Sequence, residues 1–290
     1  MDSTKYTYIT SLLICLVTYV AALVAAWICA LYFTGKVGGV LVALIADVVA
    51  TLVVFIFSTI FSNASLYDPY WSAAPLVIAW YWLQTGWVSG GSVVAMAAII
   101  FWGIRLTSNW LRGWHGLSHE DWRYVMLRAK NPKWYWFTNL MGIHLFPTLM
   151  VFMGMLPVYF IFYEGGTANI IVGIGYLLAT IAVFIELVAD EQLRAFKKQA
   201  ANGEFITTGL WRYSRHPNYF GEILFWFSLW VMLMGIAPAF WWTGIGFVAM
   251  LLMFVFASIP MMEKKNRKSK PGYDTYISKV SMLIPWISKN

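Results

Sequence analysis

The chain has 290 residues, of which 60% are hydrophobic and only 11% charged, with a mean hydropathy of +0.67. A soluble domain carries roughly one-quarter charged residues, so this composition excludes one and calls for an integral membrane protein. The formal charge of +7 is gathered in basic stretches at 105–133, 194–215 and 264–289, which is the pattern of cytoplasmic loops under the positive-inside rule rather than of a nucleic-acid-binding domain.

The first apolar segment, 8–32, is too long for a signal-peptide core and reads as a span. Cys15 and Cys29 both lie in it, roughly 20 Å apart along one helix axis, so they cannot bridge each other. Further apolar segments follow at 39–62, 74–88, 92–107, 138–163, 168–188, 219–236 and 240–260. The expected fold is all-α: a polytopic transmembrane bundle of about seven to eight apolar segments, forming one domain over 1–290 with both termini cytoplasmic. The short pair 74–88 and 92–107, joined at Ser89-Gly90-Gly91, reads either as tilted spans or as a hairpin that does not fully cross. Seventeen Trp and sixteen Tyr supply rings for interfacial belts and for packing inside the bundle.

Four stretches carry polar groups that an apolar bundle has to accommodate. Asn63-Ala64-Ser65-Leu66-Tyr67-Asp68-Pro69-Tyr70 puts an acid among aromatics between two apolar segments. Asp68 there is either a helix cap ahead of Pro69 or an acid at the edge of a membrane cavity. Arg105, Asn109 and Arg112 share a helix face, and Glu120-Asp121-Trp122-Arg123-Tyr124 follows, which alone would be a juxtamembrane belt. Glu186, Asp190, Arg194 and Lys198 recur every four residues, an ion-pair stripe running out of the bilayer from a carboxylate that lies within the apolar part. Finally, Arg212, Arg215 and His216 precede Pro217, whose fixed φ suits the first turn of a helix, and Asn218 and Glu222 then share a face of that helix. Free N–H groups beside these cations suit an anion such as a phosphate. With the basic stretches inside, all four border one cytoplasmic mouth. His115 and His119 stand four apart without further ligands, so no metal site is expected. No glycine-rich strand–turn–helix loop is present, which excludes a soluble Rossmann domain.

As an ordered set, these motifs resemble the steroid 5α-reductase-like superfamily of integral membrane proteins, in its large bacterial branch. The carrying residues are the 209–222 stretch with Arg215-His216-Pro217-Asn218-Tyr219, the upstream Glu186, Asp190 and Arg194, the 120–124 stretch, Pro260 to Lys264, and then Pro271-Gly272-Tyr273 and Ile284-Pro285-Trp286. The resemblance covers the chain from about Asn63 onward. It implies a bundle in a bacterial inner membrane that binds NADPH from the cytoplasmic side and reduces a carbon–carbon double bond in a steroid- or isoprenoid-like substrate. Carried over by motif, Asn218 and Glu222 would contact the nicotinamide end. Asp190, Arg194 and Tyr219, with Glu186, would line the cofactor, and Arg123, Arg212, Arg215 and His216 would reach phosphate or ribose. Characterised steroid reductases present a Gln-Glu pair in the segment matching Tyr67-Asp68, and a Tyr near Asn109. Here Asp68, with Tyr67 or Tyr70, would have to supply the acid. The Arg-His-Pro-x-Tyr stretch is also similar to membrane isoprenylcysteine methyltransferases, which use S-adenosylmethionine. A non-enzymatic lipid-binding or transport protein is the remaining alternative, since intramembrane ionisable groups also mark transport pathways. The expected partners are a hydrophobic small molecule and membrane lipid, with no nucleic acid.

Overall fold

The computed structural model describes residues 6–288, and these are helical without a strand. Lys289, the end of the last basic stretch, lies outside them. The helices are α1 (Tyr8–Phe33), α2 (Gly39–Ile60), α3 (Tyr70–Thr85), α4 (Gly90–Gly113), α5 (Trp122–Lys130), α6 (Pro132–Glu164), α7 (Ile170–Lys197), α8 (Pro217–Ile236), α9 (Pro238–Ser269) and α10 (Tyr273–Lys279). Among the described residues, seven helices are long and apolar enough to cross a membrane: α1, α2, α4, α6, α7, α8 and α9.

The segments expected as a short pair differ from each other. The 16 residues of α3 extend about 24 Å, less than the roughly 30 Å of a hydrocarbon core. By contrast, α4 runs past the expected end at 107 as far as Gly113. Its last turns carry Arg105, Asn109 and Arg112, whose polarity ends the apolar run without ending the helix. Local chemistry fixes several helix starts. The Thr7 side chain accepts from Thr10 N, Asp121 accepts from Arg123 N at 2.8 Å, and Asn169 accepts from both Ile171 N and Val172 N. Pro217 opens α8 as its ring geometry predicts.

The chain groups into two compact units, and the division falls inside α4 and α6. The first comprises Met1–Thr85 and Leu106–Phe152. There α2 buries a line of mostly small side chains that includes Ala43, Ala46, Asp47, Ala50 and Thr51, spaced as one helix face. The buried residues of α1 are also small, Ser11, Cys15, Thr18, Ala22 and Ala30, while Leu16, Trp27, Ile28 and Leu31 are exposed. Small residues inward and large apolar ones outward is the arrangement of helices packed in lipid.

The second unit comprises Gly86–Arg105 and Met153–Asn290. Its seam is the close approach of α7 and α8. A Cβ on Gly175 would lie 3.0 Å from Met232 N and from Ser228 O, and one on Gly221 would meet the Ala182 carbonyl oxygen at 2.9 Å and collide with Glu186 Cγ. Trp102 stacks on Phe225 with ring centroids 4.9 Å apart and planes 6° from parallel, and Trp226 packs over Gly154.

Candidate functional site

Two polar clusters lie in the helical framework, one in each unit. In the first unit, the 63–68 turn is laced to the 117–128 segment. Asn63 accepts from Ser65 N at 2.9 Å and donates to the Leu117 and His119 carbonyls. Ala64 N donates to Glu120, which is also paired with Arg128 at 2.9 Å, and Asp121 N donates to the Ser65 hydroxyl. Asp68, which this lacing positions, receives a 2.6 Å hydrogen bond from the Tyr124 hydroxyl. A phenol from the 117–128 segment is thus one of its partners. Burial raises the Asp68 carboxyl to about 6, against the lowering effects of the nearby Arg123 and of the Tyr124 hydroxyl. Arg123 itself forks onto Asp121 at 2.8 and 3.2 Å.

Tyr67 and Tyr70 lie on either side of Asp68 in sequence, and both are buried and stacked on each other at 5.3 Å. Their hydroxyls are already engaged. That of Tyr67 bonds Thr148 at 2.8 Å, and Thr148 in turn bonds Thr51. That of Tyr70 donates to Asp47 Oδ1 at 2.6 Å. Of the three expected acid residues, Asp68 is the partly exposed one.

In the second unit, α4, α7 and α8 bring Arg105, Glu186, Asp190, Asn218 and Glu222 together. Arg105 forms an ion pair with Glu186, both side chains being buried, and its Nη1 lies 3.7 Å from Asp190 Oδ2. Glu222 accepts indole N–H bonds on both oxygens, from Trp102 at 3.1 Å and Trp226 at 2.9 Å. Asn218 donates to Asp190 Oδ1 across a long 3.5 Å, and its own amide oxygen accepts the Tyr219 N–H of the first turn of α8. The expected i,i+4 stripe on α7 is therefore divided. Glu186 and Asp190 turn to a long-range arginine, because an intramembrane carboxylate needs a counter-charge at its own depth. Arg194 pairs with Glu191 at 2.9 Å.

The cations of the 209–222 stretch differ in use. Arg215 is buried and spends its donors on Glu263 at 2.7 Å and on the Ile277 and Val280 carbonyls, pinning the C-terminal segment to the motif. His216 lies 3.3 Å from the same Glu263 and stacks on Tyr219. Arg212 is exposed. The stretch begins at Gly209, whose φ of 62° is open to glycine, and a Cβ there would strike the Gln192 amide that binds Leu210 N. Trp211 then donates to the Ala189 carbonyl at 3.1 Å.

Taken as a donor set, the second cluster holds one arginine against three carboxylates, Glu186, Asp190 and Glu222, with an amide and two indoles making up the difference. Its buried Glu186 Oε1 has no hydrogen-bond partner. Such an acceptor-rich site suits a ligand group that donates hydrogen bonds, a carboxamide among them, better than a bare phosphate. Spacing pointed to every carboxylate here. It did not identify Trp102 and Trp226 as partners of Glu222, nor Tyr124 as that of Asp68 or Glu263 as that of Arg215 and His216, and only the coincidence of buried acids with nearby aromatics hinted at the first three.

A Schizosaccharomyces pombe protein described as uncharacterized is 25% identical over 252 residues, 77% of this chain and 73% of that protein. No solved structure gives a significant match. Residues 54–280 match the family of proteins of unknown function DUF1295, a span that contains both clusters, and the chain belongs to that family.

Proposed function

We propose that the protein is a steroid 5α-reductase-like membrane enzyme that uses NADPH to reduce a carbon–carbon double bond in a hydrophobic, steroid- or isoprenoid-like substrate, in a bacterial inner membrane with its basic loops cytoplasmic. The observation that carries the reading is the second-unit cluster, where Asp190 and Asn218 remain partly exposed above the buried Arg105, Glu186 and Glu222.

The residues present fit the cofactor's polar end. Asp190 and Asn218 would hold the carboxamide of the nicotinamide, where a carboxylate accepts and a side-chain amide both donates and accepts. Arg105 holds Glu186 and Asp190 in place by ion pairing, and the indoles of Trp102 and Trp226 fix Glu222 beneath them. Arg212, exposed near the start of the 209–222 stretch, and Arg194 would reach the phosphates. Arg215 and His216 support this arrangement by anchoring Glu263 rather than by facing a ligand. NADPH, when bound, supplies a hydride to an electron-poor double bond. Within the first unit, Asp68 is the group suited to proton donation, since Tyr67 and Tyr70 are engaged elsewhere and a carboxyl titrating at about 6 still holds a proton part of the time near neutrality.

The test is a thermal-unfolding shift with NADPH on the detergent-solubilised protein. Wild type should be stabilised by mass action, by about 2.7 kcal/mol at a hundredfold excess over Kd. Asp190→Asn and Asn218→Leu should fold and lose most of that shift. A shift with S-adenosylmethionine in place of NADPH would instead support a methyltransferase.

A further inference from the structure

In the second unit, the loop that follows α7 packs on the segment that follows α9. Phe205 meets the rings of Tyr273 and Tyr276 with centroids 5.1 and 5.4 Å apart, and a Cβ on Gly203 would lie 3.5 Å from Pro271 Cδ. Three lysines gather at this junction: Lys197, the last residue of α7, Lys265 on α9, and Lys270 at the C-cap of α9. Lys270 is half-buried and held through its backbone, its N–H donating to the Asn266 carbonyl and its carbonyl accepting from Tyr273 N. Partial burial, and after it the like charges of Lys197 and Lys265, lower its ammonium from the ordinary lysine value.

The acids of the neighbourhood are engaged elsewhere: Glu263 with Arg215 and His216, Asp274 with Arg267, and Glu191 with Arg194. Among the described residues, neither Lys197 nor Lys270 has an ion-pair partner. Cations drawn together without a counter-charge repel, and an anion placed among them removes that cost. Depth narrows the source of the anion. By helix rise, Lys197 stands about 13 Å beyond the apolar run that ends at 188, and Lys270 about 15 Å beyond the one that ends at 260. Both distances exceed the roughly 5–8 Å of headgroup that flanks each side of the hydrocarbon core. The anion therefore comes from solution rather than from the lipid surface. Lys197 also lies on the α7 face of Asp190, about 10 Å farther out along the axis, and the two charges attract.

We propose that Lys197, Lys265 and Lys270 bind the phosphate monoester on the adenosine ribose of NADPH, and so select NADPH over NADH. A monoester brings about two negative charges and three acceptor oxygens to the three cations, whereas the ribose hydroxyl of NADH brings no charge. Lysine serves such a group as a point charge. The assignment rests on the cofactor reading of Asp190 and Asn218, and adds to it the end of the dinucleotide that lies farther from the bilayer.

The experiment is isothermal titration calorimetry of the purified protein in detergent, with NADPH and with NADH. Wild type should bind NADPH about tenfold tighter or more, as charge-assisted contacts to one phosphate allow. Lys270→Met and Lys197→Met keep the apolar stem and remove the charge. Each should bring NADPH to within about threefold of NADH and leave NADH affinity as it was, and Lys197→Met carries the test if Lys270→Met fails to fold. Lys268→Met, exposed on the same stretch but outside the three, should leave the ratio unchanged, and the wild-type ratio should hold in phosphatidylglycerol nanodiscs. Equal affinities in wild type, variants that weaken both dinucleotides alike, an equal effect of Lys268→Met, or loss of the ratio in phosphatidylglycerol would overturn the assignment while a dinucleotide still binds and the cofactor reading stands. Binding of neither dinucleotide would overturn both.

Discussion

Asp68 is a carboxyl whose surroundings work against its charge, and the consequence is a definite pH dependence. Its folded value, about 6, lies above the ordinary 3.8, so its protonated form stabilises the fold. That contribution is complete below about pH 4 and is lost as pH rises through about 6. Thermal unfolding followed from pH 4 to pH 8 should show this loss in wild type, and Asp68→Asn, which keeps the shape without the proton, should flatten it. An unchanged profile in the variant would place the titration elsewhere. Glu222 presents the opposite case, a carboxylate fully supplied with donors. Gln in its place offers one acceptor to two indole N–H groups and turns an NH2 toward one of them, so Glu222→Gln should cost about 1–3 kcal/mol without any ligand. Loss of NADPH binding at unchanged stability would instead show that the carboxylate serves the cofactor directly. That both residues would need partners was legible in the sequence, since an acid inside or beside an apolar run needs a reason. Their partners were not, because Tyr124 and Trp102 lie 56 and 120 residues away along the chain, and no spacing rule reaches that far.

At the scale of elements, the eight apolar runs all became helices, since a helix pairs its backbone groups within its own segment in lipid, and α6 and α9 include π-helical stretches at Asn139–Leu145 and Phe254–Ser258. Their ends were less legible wherever a helix continued with charged residues, as α4 does beyond 107 and α7 beyond 188. The seam between α7 and α8 could be read only in part. Gly221 lies in the most informative stretch of the chain, but only the packed helices show why it is glycine: a methyl there collides with Glu186 Cγ and crowds the Ala182 carbonyl. Gly221→Ala should therefore cost about 1–3 kcal/mol by overpacking, and by displacing Glu186 it should disturb its ion pair with Arg105. The midpoint of unfolding with and without NADPH checks this: both the intrinsic stability and the ligand shift should fall. A variant as stable as wild type would mean that α7 and α8 are less closely packed than described.

For the molecule as a whole, composition was enough to establish a helical membrane protein, because a chain 11% charged cannot cover a soluble surface. By the positive-inside rule we propose that the loops around Lys133 and Asn202 face the cytoplasm. Single cysteines at these positions, in a protein lacking Cys15 and Cys29, should resist a membrane-impermeant thiol reagent in intact cells and react in inverted vesicles. The reverse labelling would invert the topology. What composition and motif could not supply is the use of each cation. Of the basic residues expected to meet phosphate, Arg215 is occupied in tying the C-terminal segment to the motif, while Arg212 stays exposed. The central claim, that the acceptor-rich cluster of Asp190, Asn218 and Glu222 serves a nicotinamide cofactor, is tested most directly by titrating the purified protein into NADPH and following the nicotinamide fluorescence. The account predicts a saturable change that excess S-adenosylmethionine does not compete away and that Asn218→Leu abolishes. No saturable change with NADPH, in protein that binds S-adenosylmethionine or a lipid, would contradict it.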